Sequence, residues 1–203
     1  MKSLLLLLCK KTKNLIIGKK ELNKVEQIMG PGGAFEFFIK AKEKGFVKYL
    51  GFTTHSEEVA IALMNVYDFT SILFPFNWAL WYKDDFGPEV FKKAKEKGIG
   101  ILALKALARG SWSEDEKRNW GKCWYAPLDS FEEASLALRF TLSLPVTSAV
   151  SPSHEELLWL ACDIADSFQT ISPEEKDILR NKSQSIDTLL HDPGFNLVQR
   201  GNQ

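Results

Sequence analysis

Apolar residues along this chain gather into short runs separated by longer stretches of helical pattern. Four runs stand out: Phe46-Val47-Lys48-Tyr49-Leu50-Gly51-Phe52, Thr70-Ser71-Ile72-Leu73-Phe74, Ile99-Gly100-Ile101-Leu102-Ala103-Leu104 and Pro145-Val146-Thr147-Ser148-Ala149-Val150. They are runs rather than strict alternations, the pattern of strands buried on both faces. Between them the period changes. In 153–168, Leu157, Ala161, Ile164 and Phe168 share one helical face, with Leu158, Cys162 and Ala165 beside them. Helix boundaries are also written in the sequence. Ser130, Ser153 and Ser172 each stand three residues before a glutamate, the capping-box spacing, and Pro173 sits at the first helical position. A local repetition is equally informative. Ala41-Lys42-Glu43-Lys44-Gly45 and Ala94-Lys95-Glu96-Lys97-Gly98 each read as a basic helix end, a glycine just beyond it, and then a strand.

The predicted order is helix 33–44, strand 46–52, helix 56–66, strand 70–75, helix 88–97, strand 99–104, a long loop, helix 130–142, strand 145–150, helix 153–168 and a short helix 172–183. Such alternation implies an α/β fold with a parallel sheet. Two arrangements accommodate it. One is a partial (β/α)8 TIM barrel; a complete one takes about 250 residues. The other is an open, four-stranded doubly wound sheet. Along the chain we expect an atypical leader over 1–29 holding a remnant strand, the α/β body over 30–170, and a C-terminal helix with a polar tail over 171–203.

Composition narrows the function classes. The 203 residues are 45% apolar and 26% charged, with 26 basic and 26 acidic side chains. No net field draws the protein to nucleic acid or an anionic membrane, so neither is an expected partner. Cys9, Cys123 and Cys162 form no CxxC pair, and a reducing, cytoplasmic location is expected. The apolar run Leu4 to Leu8 is shorter than the roughly 7–15 residues of a signal-peptide core. It is also far short of the about 20 residues that a membrane-spanning helix needs.

In either arrangement ligands sit at the carboxyl ends of the strands. His55, just before the Ser56 cap, is a general acid–base candidate or a packing residue. Lys105 ends an apolar strand, and three roles stay open for it: neutralising a phosphate or carboxylate, forming a Schiff base, or packing its stem with its head in water. Ser151 and Ser153 precede a helix N-terminus suited to phosphate, or simply cap it. Trp78, Trp81, Tyr82, Trp112, Trp120, Trp124 and Tyr125 either roof a small-molecule pocket or pin a long loop. There is no GxGxxG, P-loop or HExxH sequence, and no metal site is expected.

Taken together, Gly-Pro-Gly-Gly-Ala at 30–34, Val-Lys-Tyr-Leu-Gly-Phe-Thr-Thr-His-Ser at 47–56, Phe-Pro-Phe-Asn at 74–77 and Gly-Ile-Gly-Ile-Leu-Ala-Leu-Lys-Ala-Leu-Ala-Arg-Gly at 98–110 resemble the aldo/keto reductases. Lys-Cys-Trp-Tyr at 122–125 and Thr-Ser-Ala-Val-Ser-Pro-Ser-His-Glu-Glu-Leu at 147–157 extend the likeness. The resemblance implies a (β/α)8 barrel that binds NADPH or NADH and transfers hydride to a carbonyl, here represented by its last four to five βα units. It places Thr53 and Thr54 at the nicotinamide carboxamide and Asn77 at the end of the sixth barrel strand. Lys105, Leu107, Arg109 and Gly110 fall in the loop over the pyrophosphate, and Ser151 and Ser153 at the adenosine phosphate. Leu73 and Leu104 stand where the family often has a glutamine and a stacking aromatic. The family's catalytic Asp, Tyr, Lys and His come from the first four strands, and no histidine precedes His55. The expectation is therefore a reductase remnant from a truncated or frame-disrupted gene, inactive alone, that self-associates or pairs with a missing barrel half. A non-catalytic interaction module and a Lys105 Schiff-base lyase are the competing readings.

Overall fold

The two repeated helix ends behave as their sequences dictate. Helix α2 (Ala34–Glu43) and helix α5 (Pro88–Glu96) are each followed by a glycine in the left-handed region, Gly45 at φ 72° and Gly98 at φ 66°. Phe46 N–H donates to the Ala41 carbonyl and Gly45 N–H to that of Lys42, 2.9 Å each; Ile99 to Ala94 (2.9 Å) and Gly98 to Lys95 (3.1 Å) repeat the pattern. These are paired Schellman bonds, which satisfy carbonyls that a helix end would otherwise leave open. The lysines in both last turns oppose the negative helix end.

The computed structural model describes residues 14–16 and 22–191. The Leu4–Leu8 run, Cys9 and the polar tail from residue 192 lie outside the described residues. The chain divides into two compact units, one holding residues up to Phe74 with Pro88–Ile101, the other Pro75–Gly87 with the chain from Leu102.

In the first unit, β1 (Asn14–Ile16), β2 (Gly51–Thr53) and β3 (Ser71–Pro75) pair in parallel, with Leu15 opposite Phe52 and Phe52 opposite Ile72. Gly100 N–H, at the start of β4 (Gly100–Leu104), donates to the Thr70 carbonyl at 2.9 Å. Helix α3 (Glu57–Val66) packs against α1 (Leu22–Met29) and α5. Its Val59, Ala60, Leu63 and Met64 are completely buried, and Ser56 caps it by accepting from Val59 N–H. An aromatic cluster closes the unit: Phe69 lies 4.8 Å from Phe52 and 4.9 Å from Tyr67, and Phe35 lies 4.8 Å from Tyr67.

In the second unit, Leu102 and Ala103 of β4 pair in parallel with Ser148 and Ala149 of β7 (Ser148–Ala149). Along the sheet the strands run β1-β2-β3-β4-β7. A two-stranded hairpin, β5 (Ala108–Gly110) with β6 (Ala126–Pro127), stands apart from this ladder. Helices α4 (Trp78–Lys83), α6 (Phe131–Ser143), α7 (Glu155–Asp166) and α8 (Pro173–Ser183) supply a core around Ala134, Ala137, Leu138, Phe140, Ala161 and Ile164. Phe140 meets Tyr82 at 5.2 Å and Trp81 at 5.9 Å, which holds α6 to α4. The full capping box at Ser172 and Glu175 starts α8 with Pro173 at its first position, as its sequence predicts.

Some boundaries differ from the sequence reading. Only Gly51–Thr53 of 46–52 pairs as strand, and Phe46 is 74% exposed while Val47 and Leu50 are buried in a loop. Only Ser148–Ala149 of 145–150 is strand. Apolar runs mark burial, and burial need not be accompanied by ladder bonds. Helix α7 begins at Glu155 with His154 as its N-cap, so Ser153 does not cap it. The sequence reading also missed α1, α4 and the hairpin. Two of these are short: α4 has 6 residues, and β6 has 2.

Candidate functional site

The carboxyl end of β4 is where chemistry concentrates. Lys105 takes a left-handed backbone, φ 65°, unusual for a residue with a side chain. What holds it there is Asn77. The Asn77 side-chain N–H2 group donates to the Lys105 carbonyl at 2.9 Å and to the Ala108 carbonyl at 2.8 Å, and Ala108 N–H closes the turn onto Lys105 at 2.9 Å. The other end of the same amide accepts from Ala79 and Leu80 N–H, capping α4. One 1%-exposed side chain thus starts a helix and fastens the loop that carries Lys105.

The left-handed turn sends the Lys105 side chain over two rings. Its Nζ lies 4.5 Å from the Trp124 ring centroid and 4.3 Å from that of Tyr125. Both rings follow Cys123, which is buried, and reach Lys105 because β6 folds back antiparallel onto β5. The Tyr125 hydroxyl and the Ser153 backbone lie near the Cys123 sulfur and act on its thiol. Burial pushes the Lys105 amine down to about 8, an effect that the nearby Cys123 partly opposes. Burial likewise pushes the Tyr125 phenol and the Cys123 thiol up, so both keep their protons at neutral pH. Lys105 has no carboxylate partner among the described residues.

The remaining aromatics of the long loop have fixed duties. Trp112 donates its indole N–H to the Cys123 carbonyl at 3.0 Å, and Trp120 to Asp129 at 2.9 Å. His154 accepts from Lys122 N–H at 3.1 Å and meets the Trp120 ring edge-on at 5.1 Å. These contacts pin the loop, leaving Trp124 and Tyr125 as the pair that faces a reactive group. His154 and Cys123 escaped the sequence reading as neighbours of this site, since only the hairpin brings 123–125 to Lys105.

The other sequence-predicted site residues fall as follows. Arg109 is part-exposed and pairs with Glu116. Leu107 is 2% exposed and belongs to the hydrophobic core. Gly110 packs against the Asp187 backbone, where a side chain would collide at 2.5 Å. The Ser151 hydroxyl donates to the Pro152 carbonyl at 3.2 Å, and Ser153 is exposed. Asn77, Lys105 and Arg109 are thus joined through one loop. In the other unit, Thr53 ends β2, and buried Thr54 accepts from Ser56 N–H at 3.1 Å, forming the turn into α3. His55 lies in that turn, half-buried.

Parallel strands alternating with helices, with polar groups in the loops at the strand ends, fit either a (β/α)8 barrel segment or a doubly wound sheet, and the comparison with solved structures selects the first. No family model and no curated protein matches the sequence. Solved structures do match. The holo form of an aldo-keto reductase from Bacillus halodurans is 17% identical with a TM-score of 0.55, over 85% of this chain and 58% of that one. Aldose reductase from Giardia lamblia is 17% identical with a TM-score of 0.54, over 79% and 52%. Glycerol dehydrogenase from Gluconobacter oxydans is 16% identical with a TM-score of 0.53, over 85% and 57%. The chain has the fold of a partial aldo-keto reductase barrel, and it spans little more than half the length of these relatives. Among the described residues, no helix is long and apolar enough to cross a membrane.

Proposed function

We propose that this chain is a nicotinamide-cofactor-binding barrel segment of aldo-keto reductase type, with carbonyl reduction as its ancestral chemistry and no turnover by itself. The observation that carries the reading is Lys105: a part-buried cation at a strand's carboxyl end, on a turn fixed by Asn77, with no carboxylate partner among the described residues. Such a group suits a phosphate oxygen, whose charge would offset the cost of burying the ammonium. Arg109 on the same loop is part-exposed and can leave Glu116 for a diphosphate at little cost, because exposed ion pairs contribute only about 0–1 kcal/mol. Asn77 supports the site by fixing the loop. NADPH or NADH, the cofactor of the resembled family, would supply the hydride. Lys105 and Arg109 would hold its phosphates, while Thr53, Thr54, Ser151 and Ser153 are the further contacts that the resemblance assigns.

The test is an NADPH titration followed by tryptophan emission, for which the chain has six reporters. Saturable quenching is expected, and Lys105→Glu should abolish it. The linkage sign is definite. Phosphate binding needs charged Lys105, so affinity falls as pH rises through about 8, where an ordinary lysine would still be charged. A folded protein that shows no quenching would overturn the reading. It would favour an interaction module, for which Phe37 and Phe46, 71% and 74% exposed on and just after α2, are among the exposed apolar side chains.

A further inference from the structure

We propose that the cavity between α4, α6, α8 and β5 is a binding site for a small carboxylate with a short aliphatic body. The cavity has a volume of about 50 Å³, and every residue that lines it belongs to the second unit. One water needs roughly 10–15 Å³ of such space, so the cavity takes a body of about four water-sized groups, a chain of three or four carbons. Its inner wall is apolar. Trp78, Leu128 and Leu179 are buried there, with Leu136 beside them. The wall is fastened on two sides. Lys83 Nζ donates to the carbonyl of Ile186, a further lining residue, at 2.6 Å, and Ser111 N–H donates to the Asp187 carbonyl at 3.1 Å. These bonds tie the chain after α8 to α4 and to the end of β5.

Two features give the site its preference for an anion. The first is charge. Arg109, Glu133 and Lys182 complete the lining with part-exposed side chains, and so form its mouth. Lys182 meets Glu133 at 3.1 Å, whereas Arg109 pairs with Glu116, which does not line the cavity. Two cations thus face one carboxylate within the lining. A carboxylate guest balances the surplus, and an ammonium guest would meet two like charges. Both existing pairs are part-exposed, so they are weak and rearrange readily. The second feature is Trp78. Its indole N–H is buried and has no acceptor among the described residues. A buried donor without an acceptor is destabilising, so Trp78 brings to the wall a group whose need an oxygen-bearing guest can meet. A body packed on leucines with its charged head at the mouth is the usual division of labour in a small-ligand site. The proposal does not rest on cofactor binding. Arg109 is common to both readings, but Trp78, Lys182 and the leucines have no part in the cofactor reading.

The experiment titrates the full, isotope-labelled chain with butyrate at constant ionic strength. The readout is the indole N–H signal of Trp78, assigned from triple-resonance spectra. Butyrate is expected to shift it saturably and to bind about fivefold more tightly than butyramide, which has the same shape without the charge. Butylammonium should bind more weakly than either. Lys182→Gln leaves Glu133 without its partner at the mouth, so butyrate should weaken by about fivefold or more while butyramide is unmoved. NADPH quenching in the same variant should match the parent. No saturable shift of the Trp78 signal, equal affinity for butyrate and butyramide, or full butyrate affinity in folded Lys182→Gln would overturn the proposal. The comparison of guests is made on the unaltered protein, so it does not depend on any variant folding. Absent NADPH quenching alongside selective butyrate binding would sink only the cofactor reading.

Discussion

Replacing Asn77 with alanine removes four hydrogen bonds through one side chain. Two are accepted from Ala79 and Leu80 N–H at 2.9 and 3.1 Å, and two are donated to the Lys105 and Ala108 carbonyls. Loss of an N-cap costs about 1 kcal/mol. Each donated bond contributes about 1 kcal/mol net, and more where the orphaned carbonyl stays away from water, as Ala108 does. The expected destabilisation is therefore about 3–5 kcal/mol, a large share of the 5–15 kcal/mol that holds an ordinary domain. With a urea slope of about 2 kcal/mol/M, the midpoint should fall by roughly 2 M with the slope unchanged. Asn77→Asp separates the two halves of the role. It keeps both accepted bonds but turns an oxygen toward two carbonyl oxygens, unless the carboxyl is protonated and donates. Its folded-state pKa is then raised, so the variant comes nearest the parent at acid pH and loses ground as pH rises. A loss below about 1 kcal/mol for Asn77→Ala, or a pH-independent gap for Asn77→Asp, would refute the anchoring argument. In either variant the left-handed Lys105, strained by roughly 1–2 kcal/mol per such residue, is free to relax, and NADPH quenching should weaken with it.

Three further outcomes follow. The Arg139 guanidinium donates to both Glu175 oxygens at 2.7 and 2.8 Å, while Ser172 N–H donates to Glu175 at 2.8 Å. Glu175→Gln should cost about 1–2 kcal/mol after discounting for partial exposure, read from urea midpoints. Arg139, then Ser172, hold the Glu175 carboxyl below its ordinary 4.5. Its contribution is present above that pH and lost as pH falls below it, so the variant should show a flatter acid limb. Gly110→Ala drives a methyl group to 2.5 Å from the Asp187 carbonyl and 2.8 Å from Ile186, and should cost about 1–3 kcal/mol in thermal or urea melts. Gly98→Ala meets open space and therefore isolates the backbone term alone, about 1 kcal/mol.

The sequence made some features legible because their causes are local. Lysines, a glycine and then an apolar run specify a helix end and its exit, and both repeats appear with the bonds that pattern requires. Ser130 and Ser172 cap the helices they precede, because N-capping needs only a hydroxyl two or three residues upstream of the amide it satisfies. The same spacing failed at Ser153, where the neighbouring residue, His154, takes the cap position and accepts from Lys122 N–H across the loop. That preference is tertiary, and spacing does not carry it. Strand lengths failed for a related reason. Val47 and Leu50 are apolar because they fill space, not because they join a ladder.

At the candidate site the sequence named Lys105 but not what surrounds it. Strand-end position follows from the alternation of elements, so a lysine after Ile101-Leu102-Ala103-Leu104 was visible. Its company was not, because Trp124 and Tyr125 lie about twenty residues downstream and arrive only through the β5–β6 return. The sequence also gave Asn77 and Lys105 parallel roles as cofactor contacts, whereas here one positions the other. The Asn77 amide is spent on backbone and Leu107 on the core, and Arg109 has Glu116. What the loop leaves without a carboxylate partner, among the described residues, is a single amine that rests on two rings, and an anion that binds it recovers part of the cost of burying it. Phosphate affinity should then fall through about pH 8 as the amine loses its proton, so the sign of that slope, measured on the unaltered protein, tests the loop's purpose.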